Sequence, residues 1–132
     1  MSLNPEDREA LIALYWKKAV DTIAEARIAI QAEAWNMAAN RVYYAAFHAV
    51  SSLLIKDSRP FGTHKGAKIS FTFNYVNTGI FSKEEGRLYA QLESLRNNAD
   101  YDCTFTASKE EILKFFQETT SLIEHIDHYI HS

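Results

Sequence analysis

A chain of 132 residues can bury about two thirds of its unfolded surface around one core, and no shift in composition marks a second domain, so a single domain over 1–132 is expected. Fourteen Lys and Arg against 17 Asp and Glu leave a formal net charge of −3, which excludes a general polyanion binder, since counterion release needs many phosphate contacts. The lone Cys103 excludes an intramolecular disulfide, and no apolar run reaches the ~18 residues of a membrane span.

The opening residues are polar and mixed in charge, so neither a secretory nor a transit segment is expected and the cytoplasm is the expected compartment. Asn4-Pro5-Glu6-Asp7 is a helix start: Asn4 caps, Pro5 fits the first helical position, and two acids face the positive end of the dipole. Ile12, Tyr15, Trp16, Ala19, Ile23, Ala26 and Ile30 then recur at helical spacing, which predicts a first helix to about residue 33. A second helix is predicted over 35 to 56. Its face of Trp35, Ala38, Ala39, Val42, Ala46, Ala49, Val50 and Leu53 carries small residues that allow close packing, and Met37, Arg41, Tyr44, His48 and Ile55 form a second face. Two such faces imply two neighbours, so this helix should be central.

Residues 57 to 66 form a loop punctuated by Pro60, Gly62 and Gly66. The next segment alternates as Ile69, Phe71, Phe73, Tyr75, yet Ile69, Phe73, Val76 and Ile80 also fit a helical stripe. Helix is the better reading, because a lone strand would leave its backbone groups without partners. Gly79 ends it, and Ser82-Lys-Glu-Glu85 and Ser108-Lys-Glu-Glu111 are capping boxes that begin two more helices. The fold class is therefore all-α, an up-and-down bundle of four main helices plus a shorter fifth.

Arg41 and His48 lie two turns apart on one face, about 10 Å along the axis, with Tyr44 between them. They can flank one bound phosphodiester, or each can be satisfied inside the bundle. Arg96 and Asp100 stand one turn apart and suit an ion pair, while His64 and Lys65, after Thr63, favour an anion at the start of the third helix. Neither the Asp100 and Asp102 pair nor His125, His128 and His131 makes a convincing ligand set, so no metal and no cofactor are expected. No phosphate-binding glycine loop, paired-cysteine zinc pattern or nucleophile elbow is present.

In this order, Asn40-Arg41-x-Tyr43-Tyr44-Ala45-x-Phe47-His48, Thr63-His64-Lys65-Gly66, Thr78-Gly79 and Leu95-Arg96-x-x-Ala99-Asp100-Tyr101 resemble the small stand-alone prokaryotic branch of the HEPN-domain family (higher eukaryotes and prokaryotes nucleotide-binding), from about residue 10 to 130. The resemblance implies a helical bundle, a homodimer, and pairing with a minimal nucleotidyltransferase as toxin and antitoxin. It also implies metal-independent endoribonuclease chemistry, in which a ribose 2′-hydroxyl attacks the adjacent phosphate, a histidine moves the proton and an arginine stabilises the charge. The family signature sets about four to six residues between the arginine and the histidine. Arg96-Asn97 matches its beginning, but Tyr101, Asp102 and Cys103 stand where the histidine would follow; Arg41 and His48 have the spacing, on an earlier helix.

Three readings follow. In the first, Arg41 and His48 are catalytic, and Asn40, Tyr44, His64, Lys65, Arg96, Asp100 and Tyr101 bind nucleotide or phosphate. In the second, the same residues serve a non-catalytic module that binds nucleotide or a partner protein. In the third, Asn40, Arg41, Tyr44, Asp100 and Tyr101 are an interhelical polar network that fixes packing.

Overall fold

The computed structural model describes residues 3–132; Met1 and Ser2, part of the range expected for the domain, lie outside the described residues. The elements are α1 Pro5–Gln31, α2 Trp35–Lys56, α3 His64–Phe71, a π-helical turn Thr72–Val76, α4 Lys83–Tyr101 and α5 Lys109–Ile130. No strand occurs among the described residues, and the fold is an all-α bundle of four long helices and one short one.

Side-chain caps set most of the helix starts. Asn4 accepts from the Asp7 N–H at 2.8 Å, Thr63 from Gly66 at 3.0 Å, and Ser82 and Ser108 from Glu85 and Glu111, each at 3.1 Å. The box at Ser82 closes when its backbone N–H donates to Glu85 at 2.8 Å. At Ser108 it does not close as expected: Glu111 accepts from the Ser108 hydroxyl at 3.1 Å, so the carboxylate is held by the side chain it was to complement. Ala34 brings no capping side chain to α2, and the turn from α1 is made instead by backbone bonds such as Ala34 N–H to Ala29 C=O at 2.8 Å.

α2 is the central helix, packed against α1, α3, α4 and α5. Its Ala38, Ala39, Val42, Ala45, Ala46, Ala49, Val50 and Leu53 are fully buried, and the small side chains let α1 lie close along it. Even Ser51 and Ser52 are buried there, because their hydroxyls donate to the Phe47 and Ala49 carbonyls of the preceding turn. Met37 is exposed and Ile55 is buried, which narrows the second face of α2 to Arg41, Tyr44 and His48.

The segment after the loop is helical, as expected, but it buries a different face. Ala67, Phe71 and Tyr75 point inward, whereas Ile69 and Phe73 are 46% and 64% exposed and Ile80 is also exposed. Two causes decide this. Phe71 and Tyr75 stand four residues apart, about one helical turn, and so share a face that the π-turn, with Asn77 N–H donating to the Thr72 carbonyl at 2.9 Å, leaves intact. Tyr75 also finds a polar anchor inside: its hydroxyl donates to Asp57 at 2.6 Å, and the Tyr129 hydroxyl donates to the same oxygen at 2.8 Å. The helical stripe expected to be buried is thus largely a solvent face.

Candidate functional site

Arg41, Tyr44 and His48 follow at three- and four-residue steps on α2, so their side chains rise from one face. The loop from Asp57 to Thr63 returns α3 over that face and sets His64, its first residue, beside Tyr44. α4 brings Arg96 from the other side. The Tyr44 ring is the hub: the guanidinium carbons of Arg96 and Arg41 lie 5.1 and 5.5 Å from its centroid, and the imidazoles of His64 and His48 lie at 5.6 and 6.1 Å.

The two arginines are held differently. The Arg96 side chain is only 13% exposed and lies among the rings of Tyr43, Tyr44 and Tyr101, donating to the Tyr44 hydroxyl at 2.6 Å. Its Nε sits 3.0 Å from the Asp100 carboxylate, an ion pair by distance that lacks the alignment of a hydrogen bond. Arg41 is farther out and pairs with the exposed Glu25 at 2.9 Å, while its Nε and Nη2 both donate to the Asn40 amide oxygen at 2.9 and 2.7 Å. Asn40 in turn donates to Asp100 at 2.9 Å. The polar chain therefore runs Glu25, Arg41, Asn40, Asp100, Arg96, Tyr44, spanning α1, α2 and α4 and returning to the hub. Arg41 reaches Asp100 only through Asn40.

Both histidines of the cluster are neutral. Burial pulls His48 down to about 4, and the Lys18 and Arg41 cations add to the effect. Its Nδ1 is buried with no protein partner. His64 is lowered by burial and then by Arg96. Its Nδ1 lies 2.7 Å from the Tyr43 hydroxyl, and burial raises that phenol to about 12, so Tyr43 donates and His64 accepts. The proton of the neutral ring is then on Nε2. Phe47 stacks on the His64 ring at 4.4 Å and fixes its plane.

Of the sequence-derived candidates, Asn40, Arg41, Tyr44, His48, His64, Arg96 and Asp100 gather here. Tyr101 is exposed, with its ring 5.4 Å from the Arg96 guanidinium. Lys65 stands apart on the first turn of α3 and lines a neighbouring groove with His64. Three contributors were missed: Tyr43 and Phe47, which orient His64, and Glu25, the partner of Arg41. Tyr43 and Phe47 stood in the quoted motif, but the helix pattern alone gives them to the core. Glu25 carries no local signal. Away from this cluster, His125 bonds Glu85 at 2.7 Å and His131 contacts Asp127 at 2.8 Å, and no group of three or more His, Cys, Asp or Glu converges among the described residues.

Comparison with known proteins bears on the whole chain. A "UPF0332 protein" of Thermotoga maritima is 27% identical over 124 residues, covering 94% of each chain. A protein of Methanocaldococcus jannaschii named "Putative toxin" is 28% identical over 96 residues, covering 72% of this chain and 65% of its own. The HEPN domain matches residues 12–129, all but the two ends, so the five-helix chain with its Tyr44-centred cluster belongs to the HEPN domain family.

Proposed function

We propose that this chain is the toxin-type component of a prokaryotic toxin–antitoxin pair and that it acts on RNA at the Tyr44 cluster. One observation carries the reading: two guanidiniums and two neutral imidazoles converge on a single tyrosine ring. Guanidiniums match the charge of a phosphodiester, and tyrosine offers a stacking face for a base. A neutral imidazole at pH 7 can accept a proton, which is the state general-base chemistry requires.

In the proposed reaction a ribose 2′-oxygen bonds to the adjacent phosphorus and its proton passes to His48. The bond from phosphorus to the 5′-oxygen breaks, and that oxygen takes up a proton from solvent. Arg96 and Arg41 offset the charge that builds on the non-bridging oxygens. The products are a 2′,3′-cyclic phosphate and a 5′-hydroxyl end, with no metal required. Incubation of single-stranded RNA with chelator tests this. Cleavage to those ends is expected, lost in His48→Ala and reduced at least about a hundredfold in Arg96→Ala; full activity in folded His48→Ala removes His48 from the chemistry.

A second reading is a non-catalytic module that binds nucleotide or a partner. It is favoured by the internal pairing of both arginines with Asn40, Asp100 and Glu25, and by Tyr101 standing where the family signature puts histidine. Under it, RNA is bound intact. A nucleotidyltransferase antitoxin and a homodimer belong to the same proposal, and co-purification with the neighbouring gene product and light scattering test them. A dimer would double the cationic cluster along one groove.

A further inference from the structure

We propose that the groove running from His64 between α3, the π-turn and α4 is a base-binding subsite selective for guanine. This rests on the reading that RNA occupies the Tyr44 cluster, and it names the nucleotide that the cluster prefers.

The groove encloses about 500 Å³, within the range of small-ligand sites, and is lined by His64, Lys65, Lys68, Ile69, Phe73 and Glu93. It is continuous with the Tyr44 cluster through His64, which belongs to both. A nucleotide whose phosphate meets Arg96 can therefore send its base into the groove.

Three features suit a base there. Phe73 is a large aromatic side chain, 64% exposed, with Ile69 beside it one turn back; these two face outward while Phe71 and Tyr75 fill the core. π-turns inside helices occur often at functional sites. An exposed phenyl ring over a groove is a stacking face that any base can use.

Lys68 and Glu93 supply the choice among bases. Lys68 Nζ on α3 lies 3.2 Å from Glu93 Oε1 on α4, which sets an ammonium donor beside a carboxylate acceptor where the two helices meet. The Watson–Crick edge of guanine presents the complement: O6 accepts, and N1–H and N2–H donate side by side to the two oxygens of one carboxylate. Adenine and cytosine each present one amino donor beside acceptors. Uracil offers a single N3–H between two carbonyls, one of which would face the carboxylate. Only guanine uses both oxygens of Glu93 and the Lys68 ammonium together, and such bidentate pairs discriminate by about tenfold or more.

The test uses single-stranded octamers of 2′-O-methyl RNA, which cannot be cleaved: all-U, and the same sequence with one central G, A or C. Anisotropy with the full chain is expected to give about tenfold tighter binding of the G octamer than of the others. The ratio should fall to about two or less in Glu93→Gln, with circular dichroism unchanged. In parallel, GMP and AMP are titrated while the Phe73 ring is followed by NMR, with a shift expected for GMP first. Equal binding of all four octamers overturns the guanine subsite and leaves the RNA face intact. If no octamer binds but GMP still moves Phe73, the RNA reading fails and the subsite stands. If GMP leaves Phe73 unmoved, the subsite is overturned.

Discussion

His48 concentrates the tension between stability and the chemistry proposed for it. Its Nδ1 is buried without a partner, and burial holds the ring neutral down to about pH 4. An unfolded chain would titrate the same ring at about 6.5. Between those values the unfolded state takes up the proton first, so stability falls as pH is lowered from about 6.5 to 4 and stops falling below that on this account. Urea titrations of wild type and His48→Phe across that window are expected to show a steeper pH slope in wild type than in the variant, which keeps only the part due to His64; equal slopes would assign the effect elsewhere. Arg96 gives the opposite case, a well-held charge. Arg96→Ala strips the Tyr44 hydroxyl of its donor and Asp100 of its ion pair, and a loss of about 1–3 kcal/mol is expected by chemical denaturation. Arg96→Lys keeps the charge but not the planar fork that meets Tyr44 and Asp100 together, so it should recover only part of that loss.

Among the elements, α3 shows what a sequence can and cannot disclose. Its start was legible, since Thr63 is a good cap and its oxygen accepts from the Gly66 N–H at 3.0 Å. The same oxygen explains the glycine, because a Cβ at position 66 would come within 2.5 Å of Thr63 Oγ1. Gly66→Ala should break this cap, cost about 1 kcal/mol and loosen His64, the first residue of the helix. Thermal melts read the loss; an unchanged melting temperature would show that the cap oxygen can move aside. The buried face of α3 was not legible. Ile69, Phe73 and Ile80 on one side and Phe71 and Tyr75 on the other are equally apolar, so periodicity cannot rank them, and the Asp57 carboxylate that anchors the Tyr75 hydroxyl inside lies 18 positions away in sequence. The same holds for the site. Arg41, Tyr44 and His48 could be set on one face from their spacing, but the Glu25 to Arg41 pair and the Tyr43 to His64 bond join residues 16 and 21 positions apart in sequence and depend on how helices meet.

At the scale of the whole molecule, charge sets how RNA could be held. With 14 basic and 17 acidic side chains the chain repels a polyanion at long range, so attraction must come from the cluster itself. Arg41 and Arg96 are its two permanent cations, and each already faces an acid, Glu25 and Asp100. Both histidines are neutral near pH 7, so they add hydrogen-bonding groups but no charge. Lys65 and Lys68 border the adjoining groove, and Lys68 is paired with Glu93. The phosphates neutralised by one chain should therefore number about two to three, and each released counterion on a single strand contributes about −0.7 to the slope of log K against log salt. A slope of about −1.4 to −2 is expected for an octamer, close to the value for two or three ionic contacts. Stacking on Tyr44 and Phe73 would then supply much of the affinity, so binding should survive salt that removes a purely electrostatic complex. Anisotropy titrations from about 50 to 300 mM salt measure the slope directly. A slope steeper than about −4 would mean that many more phosphates are held than one cluster can reach, and would place the RNA across a groove built from two copies of the chain.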